Sequence, residues 1–158
     1  MNEKDILLLQ LEQAFDRKSW HGTNLLGSIR GIDVTEATWR PADDRHNIWE
    51  LILHAAYWKY SVYRRISGGD RGSFPIAGSN WFVRPNEGGR KELRNDIALL
   101  KEFHRRLIEE VRAIDPGGLG DVPAGSKFSY RDLIIGVAAH DLYHAGQIQL
   151  LKRLFKDG

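Results

Sequence analysis

The chain has no cysteine. That excludes a disulfide framework, a thiolate metal ligand and a cysteine nucleophile, so any metal here is held by nitrogen and oxygen. Long hydrophobic runs are missing too: no apolar stretch approaches the roughly 18–20 residues that a membrane span requires. The opening MNEKDILLLQLEQAF carries acids within its apolar run and no cleavage site, which does not read as a signal peptide. The cytoplasm is the expected location. Charge of one sign is also lacking. The formal net charge is +2, and the basic residues interleave with acidic ones, apart from Arg64 with Arg65 and Arg105 with Arg106. No patch of that kind marks a nucleic-acid partner. Alternating strand periodicity appears nowhere.

What is present is helical. At 158 residues the chain has the size of one domain, residues 1–158, with enough length to bury a core. Four long patterns cover most of it. The first spans residues 3–30, with Leu7, Leu11, Ala14, Lys18, His21, Leu25 and Ile29 along one seam that Lys18 and His21 interrupt and Gly22 weakens. The second spans 48–67, started by Asn47 with Glu50 as a capping pair and stopped by Gly68 and Gly69. The third runs over 90–114 with His104 on its seam, and the fourth over 129–155 with Ser129 and Asp132 as its cap. Between the first two, TEATWRP reads as a short turn, with Thr35 able to cap and Pro41 pushing its predecessor out of helix. The fold class this predicts is all-α, a four-helix bundle.

Residues 68–89 are too long for a connection between antiparallel neighbours, which usually takes about two to eight residues. A crossover is predicted instead, with the second and third helices parallel. Phe74, Trp81 and Phe82 lie within it. They either form a lid that brings Trp81 to a site or pin the crossover to the bundle.

The chemistry concentrates in AAHDLYHAGQIQLLKRL. His140 and His144 are four residues apart, so on a helix both imidazoles project from one face. Leu133, Val137, His140, His144, Ile148 and Leu151 share one seam, which places the pair in the stripe that faces the core. A buried histidine pair has to be hydrogen-bonded, neutral or metal-bound. His54, on the seam of Leu51, Ala55, Trp58 and Val62, is the best candidate for a third imidazole. Three imidazoles with open positions remaining form the catalytic rather than the structural kind of site. They suit Zn, Ni, Fe or Cu, with Zn or Ni the expected occupants. Such an ion can bring the pKa of bound water towards ~7 or ionise a thiol. Around it, His21 and Asp141 are the candidate acid–base groups, Asp141 being the better fit to a salt bridge. His21, Trp58, Trp81 and Gln147 are the candidate substrate-binding residues, and the break in the first seam at Lys18 and His21 is the expected entrance to the site. His104 reads as structural.

Three segments carry a resemblance: WRP after the first helix, HNIWELILHAAYW in the second and HDLYHAGQIQLLKRL in the fourth. In that order, over almost the whole chain, they make it similar to the DinB-like superfamily. The resemblance implies a four-helix bundle with a long crossover and a divalent metal held by His54, His140 and His144. It implies a small-molecule substrate, with thiol-dependent S-transferases and isomerases among the assigned members, hence a low-molecular-weight thiol as a possible co-substrate. The expected function is a metal-dependent enzyme, a thiol-dependent S-transferase or a small-molecule hydrolase, with a non-catalytic metal-binding stress or sensor protein as the alternative. Helix pairing in such proteins, together with tryptophan and tyrosine on helix faces, leads us to expect a homodimer.

Overall fold

In the computed structural model, residues 1–70, 72, 74–84 and 89–158 are described. Among them, six α-helices follow in order: α1 (Glu3–Phe15), α2 (Leu25–Ser28), α3 (Val34–Thr38), α4 (Ile48–Ser67), α5 (Arg90–Ala113) and α6 (Tyr130–Asp157), with a 3-10 turn at Pro116–Gly118. Among the described residues there is no strand, and the fold is all-α. No helix in them is long and apolar enough to cross a membrane.

Local chemistry sets the helix starts. Asn2, Asn47 and Ser129 each accept from the backbone N–H three residues on, and Asp5, Glu50 and Asp132 return the bond to the cap residue. Each such cap contributes about 1 kcal/mol. Glu50 is also gripped by Arg40 of the WRP segment, whose Nη1 donates to Oε2 at 2.9 Å, so the turn before α4 is tied to its first coil. Helix α4 stops where expected, at Gly68 in the left-handed region with φ +71°.

The predicted first helix is not continuous. It ends at Phe15, and the chain does not become helical again until Leu25. Gly22 turns with φ +96°, and Asn24 starts a new helix by accepting from the Gly27 N–H at 2.8 Å. The stretch between is polar and lacks the apolar face that helical packing needs. Lys18 and His21 are therefore exposed rather than on a core seam. The TEATWRP turn contains a short helix, α3, and its cap is Asp33, not Thr35.

Contacts fix the helix directions. Trp49 bonds to Asp96 and Lys59 to His104, so α4 and α5 advance together and run parallel. Lys4 reaches the carbonyls of Arg112 and Ile114, while Phe15 stacks on His104, so α1 opposes α5. His54 meets His144 and Lys59 meets Asp141, so α6 opposes α4. The crossover expected over 68–89 is thus required by the packing, although Arg71, Ser73 and residues 85–88 lie outside the described residues. Its aromatics divide the work. Phe74 and Phe82 join Tyr57, Tyr60 and Phe103 in one aromatic cluster and pin the segment down. Trp81 goes elsewhere, to the histidines.

The apolar core falls into two clusters. One gathers Phe15, Leu25, Trp49, Ile52, Leu100 and Ile148, and the other Leu11, Val62, Leu107, Val111, Ile134 and Val137. Buried polar side chains occupy the level between them, on α4, α5 and α6. This break in the core is where the site lies.

Candidate metal centre

His54 comes from the middle of α4, and His140 with His144 from one face of α6. Because α4 and α6 are antiparallel neighbours, the three rings meet across one helix interface. His140 Nε2 stands 3.1 Å from His54 Nε2 and 2.9 Å from His144 Nε2. One ligand atom from each ring lies within 4.8 Å of the others.

The outer nitrogens decide what the inner ones can do. His54 Nδ1–H donates to the Asn80 carbonyl at 2.8 Å, and His144 Nδ1–H donates to Gln147 Oε1 at 2.6 Å. Carbonyl oxygens only accept, so both rings carry their proton on Nδ1 and turn a bare Nε2 lone pair inward. Burial pushes His54 down to about 4 and His140 to about 3, and it lowers His144 too. All three are neutral at pH 7. His140 Nδ1 has no partner among the described residues, and an Nε2–H on that ring could serve only one of the two neighbouring lone pairs, whereas a shared cation would serve all three nitrogens. Nitrogens bound to one zinc at ~2.0–2.1 Å are at most ~4.2 Å apart, so the separations of 3.1 and 2.9 Å fit a shared ion. The donor set suits a divalent metal.

A second set of residues holds the ligands. Asn80 is the one non-glycine residue of positive φ among the described residues, at +64°. Asparagine tolerates the left-handed region better than other side chains do. The turn there aims its carbonyl at His54, and its side-chain oxygen accepts from Trp58 Nε1 at 3.0 Å. Trp81 stacks on His54 at 3.9 Å and on His46 at 3.5 Å, so its ring lies between the two imidazoles. His46 in turn bonds to Glu50 at 2.9 Å. The sequence did not single out Asn80. Its signal is weak, an asparagine in a Gly-Ser-Asn turn just before Trp81.

The other candidates sort clearly. Trp58 sits edge-on to both His54 and His140. Gln147 Oε1 accepts from the His144 Nδ1–H and orients that ring. Asp141 is fully buried and forms an ion pair with Lys59 at 2.5 Å, which is the salt-bridge role. His21 is on the surface beyond the end of α1, so the entrance expected at a break in the helix-one seam does not exist. His104 stays out of the centre: it stacks on Phe15 at 3.7 Å and accepts from Lys59 Nζ at 3.2 Å.

Lys59 is the residue that periodicity hid. It lies beside the core seam of α4 with no exposed surface, answered by Asp141, His104 and the face of Phe15. Burial pushes the Lys59 ammonium down and the Asp141 carboxyl up to about 6, while their attraction opposes both shifts. A lysine is almost never fully buried without a partner, and here it has one.

A cavity of about 500 Å³ reaches the centre from the side of His140, with Trp58 as one wall. It gives the histidines a way out to solvent. Comparison with curated proteins and with solved structures gave no match. Comparison with protein families did: a model described as the DinB superfamily matches residues 18–148. That stretch begins just after α1 and takes in the WRP turn, the crossover and all three histidines. A match over most of the chain goes well beyond a shared histidine spacing, and the chain belongs to the DinB superfamily.

Proposed function

We propose that this DinB-superfamily protein is a metal-dependent enzyme acting on a small molecule, with a divalent ion held by Nε2 of His54, His140 and His144. The observation that carries the reading is a three-imidazole cluster adjoining an open cavity. When bound, the ion would supply a Lewis acid that makes coordinated water or thiol more acidic. Zn or Ni suits the nitrogen donors. Thiol-dependent S-transfer and hydrolysis both fit a centre of this kind, with a low-molecular-weight thiol the co-substrate of the first.

The protein's own residues prepare the centre. Asn80 and Gln147 fix two ring orientations and their tautomers, as acceptors beyond a metal commonly do. Trp81 covers one face of His54 and keeps water from it. Trp58 borders the cavity. The cytoplasm is the proposed location.

A non-catalytic metal-binding stress or sensor role is the second reading, favoured by the depth of His54 and His144, both under a tenth exposed. Access to the metal separates the two. Cobalt(II)-loaded protein titrated with azide or a small thiol should change its visible absorption if a coordination position is open. An unaltered spectrum at saturating ligand contradicts the enzyme reading and leaves the sensor.

We also infer a homodimer. Ile135, Tyr143, Leu150 and Leu154 leave an exposed apolar line along α6 that a second copy would cover.

A further inference from the structure

We propose that the cavity beside His140 binds an elongated amphipathic anion, its apolar body along α6 and its anionic head held by Arg65 and Lys127. This deepens the enzyme reading, on which only the choice of His140 as the reacting end depends.

The cavity's shape comes from α6. His140 borders one end, and Asp132, eight residues earlier, borders the other, which is roughly 12 Å along the helix axis. The walls between are apolar: Val62 from α4, Leu133 and Val137 from α6, and Phe128 from the preceding loop. At about 500 Å³ the space is in the range of small-molecule sites.

Charge at the far end is uneven. Arg65 and Lys127 both line it, and among the described residues Asp132 is the only acid in the lining. Asp132 is engaged, because its Oδ2 accepts from the Ser129 N–H at 3.2 Å and from the Ser129 hydroxyl at 2.6 Å. The cations are positioned too. Arg65 Nη1 donates to the Ser61 carbonyl at 2.9 Å. Ser126 closes a turn under Lys127 by accepting from the Phe128 N–H at 3.0 Å and donating to the Phe128 carbonyl at 2.9 Å. That turn holds Phe128, 61% exposed, at the rim. An aromatic side chain kept in water beside an apolar cavity and two cations matches a ligand with a greasy body and an anionic head.

Gly136 supplies an independent observation. It lies in the interior of α6, where glycine is about 1 kcal/mol less favourable than alanine. Neither turn nor packing calls for it: its φ is not positive, and a Cβ there would meet no atom within 4 Å. What a side chain at 136 would enter is the cavity, which Gly136 lines. The missing side chain keeps the ligand's path along α6 open.

The test is calorimetric titration of the full-length protein, as isolated and after chelator treatment, with three probes of one chain length: 1-octanesulfonate, 1-octanol and octyltrimethylammonium. Octanesulfonate should bind about tenfold more tightly than the other two, the advantage of a charge-assisted pair over a neutral head. Gly136→Leu should weaken it by a further factor of about ten, since the new side chain takes the space of the ligand body. Lys127→Glu, on an exposed loop, should reduce the preference for the sulfonate by about threefold or more. Equal affinity for all three probes overturns the proposal, as does unchanged affinity in Gly136→Leu shown by circular dichroism to be folded. The metal reading fails separately: the protein could hold no ion and still select the sulfonate through Gly136 and Lys127.

Discussion

Lys59 and His104 carry the sharpest consequences of single side chains. Removing one member of a buried pair leaves the other charge without a counterpart, at a cost of about 3–5 kcal/mol. Lys59→Met should lower the urea unfolding free energy by that much, and Lys59→Met with Asp141→Leu should recover most of the loss. No recovery in the double variant would mean that the pair does not act as a unit. His104 is a pH device of the simplest kind. Burial, with the Lys59 charge adding to it, pushes His104 down to about 2, against about 6.5 in an unfolded chain. Below pH 6.5 the unfolded state therefore takes up a proton that the folded state refuses, so stability is lost as pH falls. Between pH 7 and 5 this amounts to about 2 kcal/mol. In chelator-treated protein, His104→Asn should lose about that much less than the parent over the same interval. His140 and His144 were legible from spacing and His54 from its core seam, with the family resemblance joining the three. Lys59 was not, because a lysine in a helix reads as surface until the partner from another helix is seen.

Among the elements, α4, α5 and α6 were legible nearly to their ends, because α4 and α6 start at side-chain caps, α5 stops just before Pro116, and each carries an apolar stripe. The first helix was overextended. Its seam can be drawn through Lys18 and His21 on paper, but the capping competition from Asn24 and the turn at Gly22 end it early. With it went the expected entrance, and the cavity opens instead beside Trp58 and the loop before α6. The length of the crossover foretold parallel α4 and α5, and Trp81 was a candidate for the site, whereas a second contribution of the crossover did not show in the sequence. That contribution runs through Asn80. Replacing it with Ala removes the bond from Trp58 and disfavours the left-handed turn that aims its carbonyl at His54. Asn80→Ala should weaken metal affinity by about 10–100-fold in a competition titration against a chromogenic chelator, as for other residues that orient a ligand. Affinity equal to the parent's would show that the crossover does not position His54.

At the scale of the whole molecule, the division of the core into two apolar clusters is what makes room for chemistry. Three neutral imidazoles on one side and the Lys59–Asp141 pair on the other sit at the level that neither cluster fills. The exposed line on α6 is apolar surface that a second copy would cover. Light scattering at micromolar concentration should give twice 18.1 kDa, and Tyr143→Glu should return the mass to that of one chain. A parent protein at 18.1 kDa contradicts the dimer and leaves the centre intact, since all three histidines come from one chain. The most direct test of the account is elemental analysis of protein purified without a histidine tag or added metal. About one divalent ion per chain is expected. It should be lost on replacing His54, His140 or His144 with Ala and kept in His104→Asn. A metal-free parent protein, or equal loss from the His104 variant, would contradict the three-histidine centre.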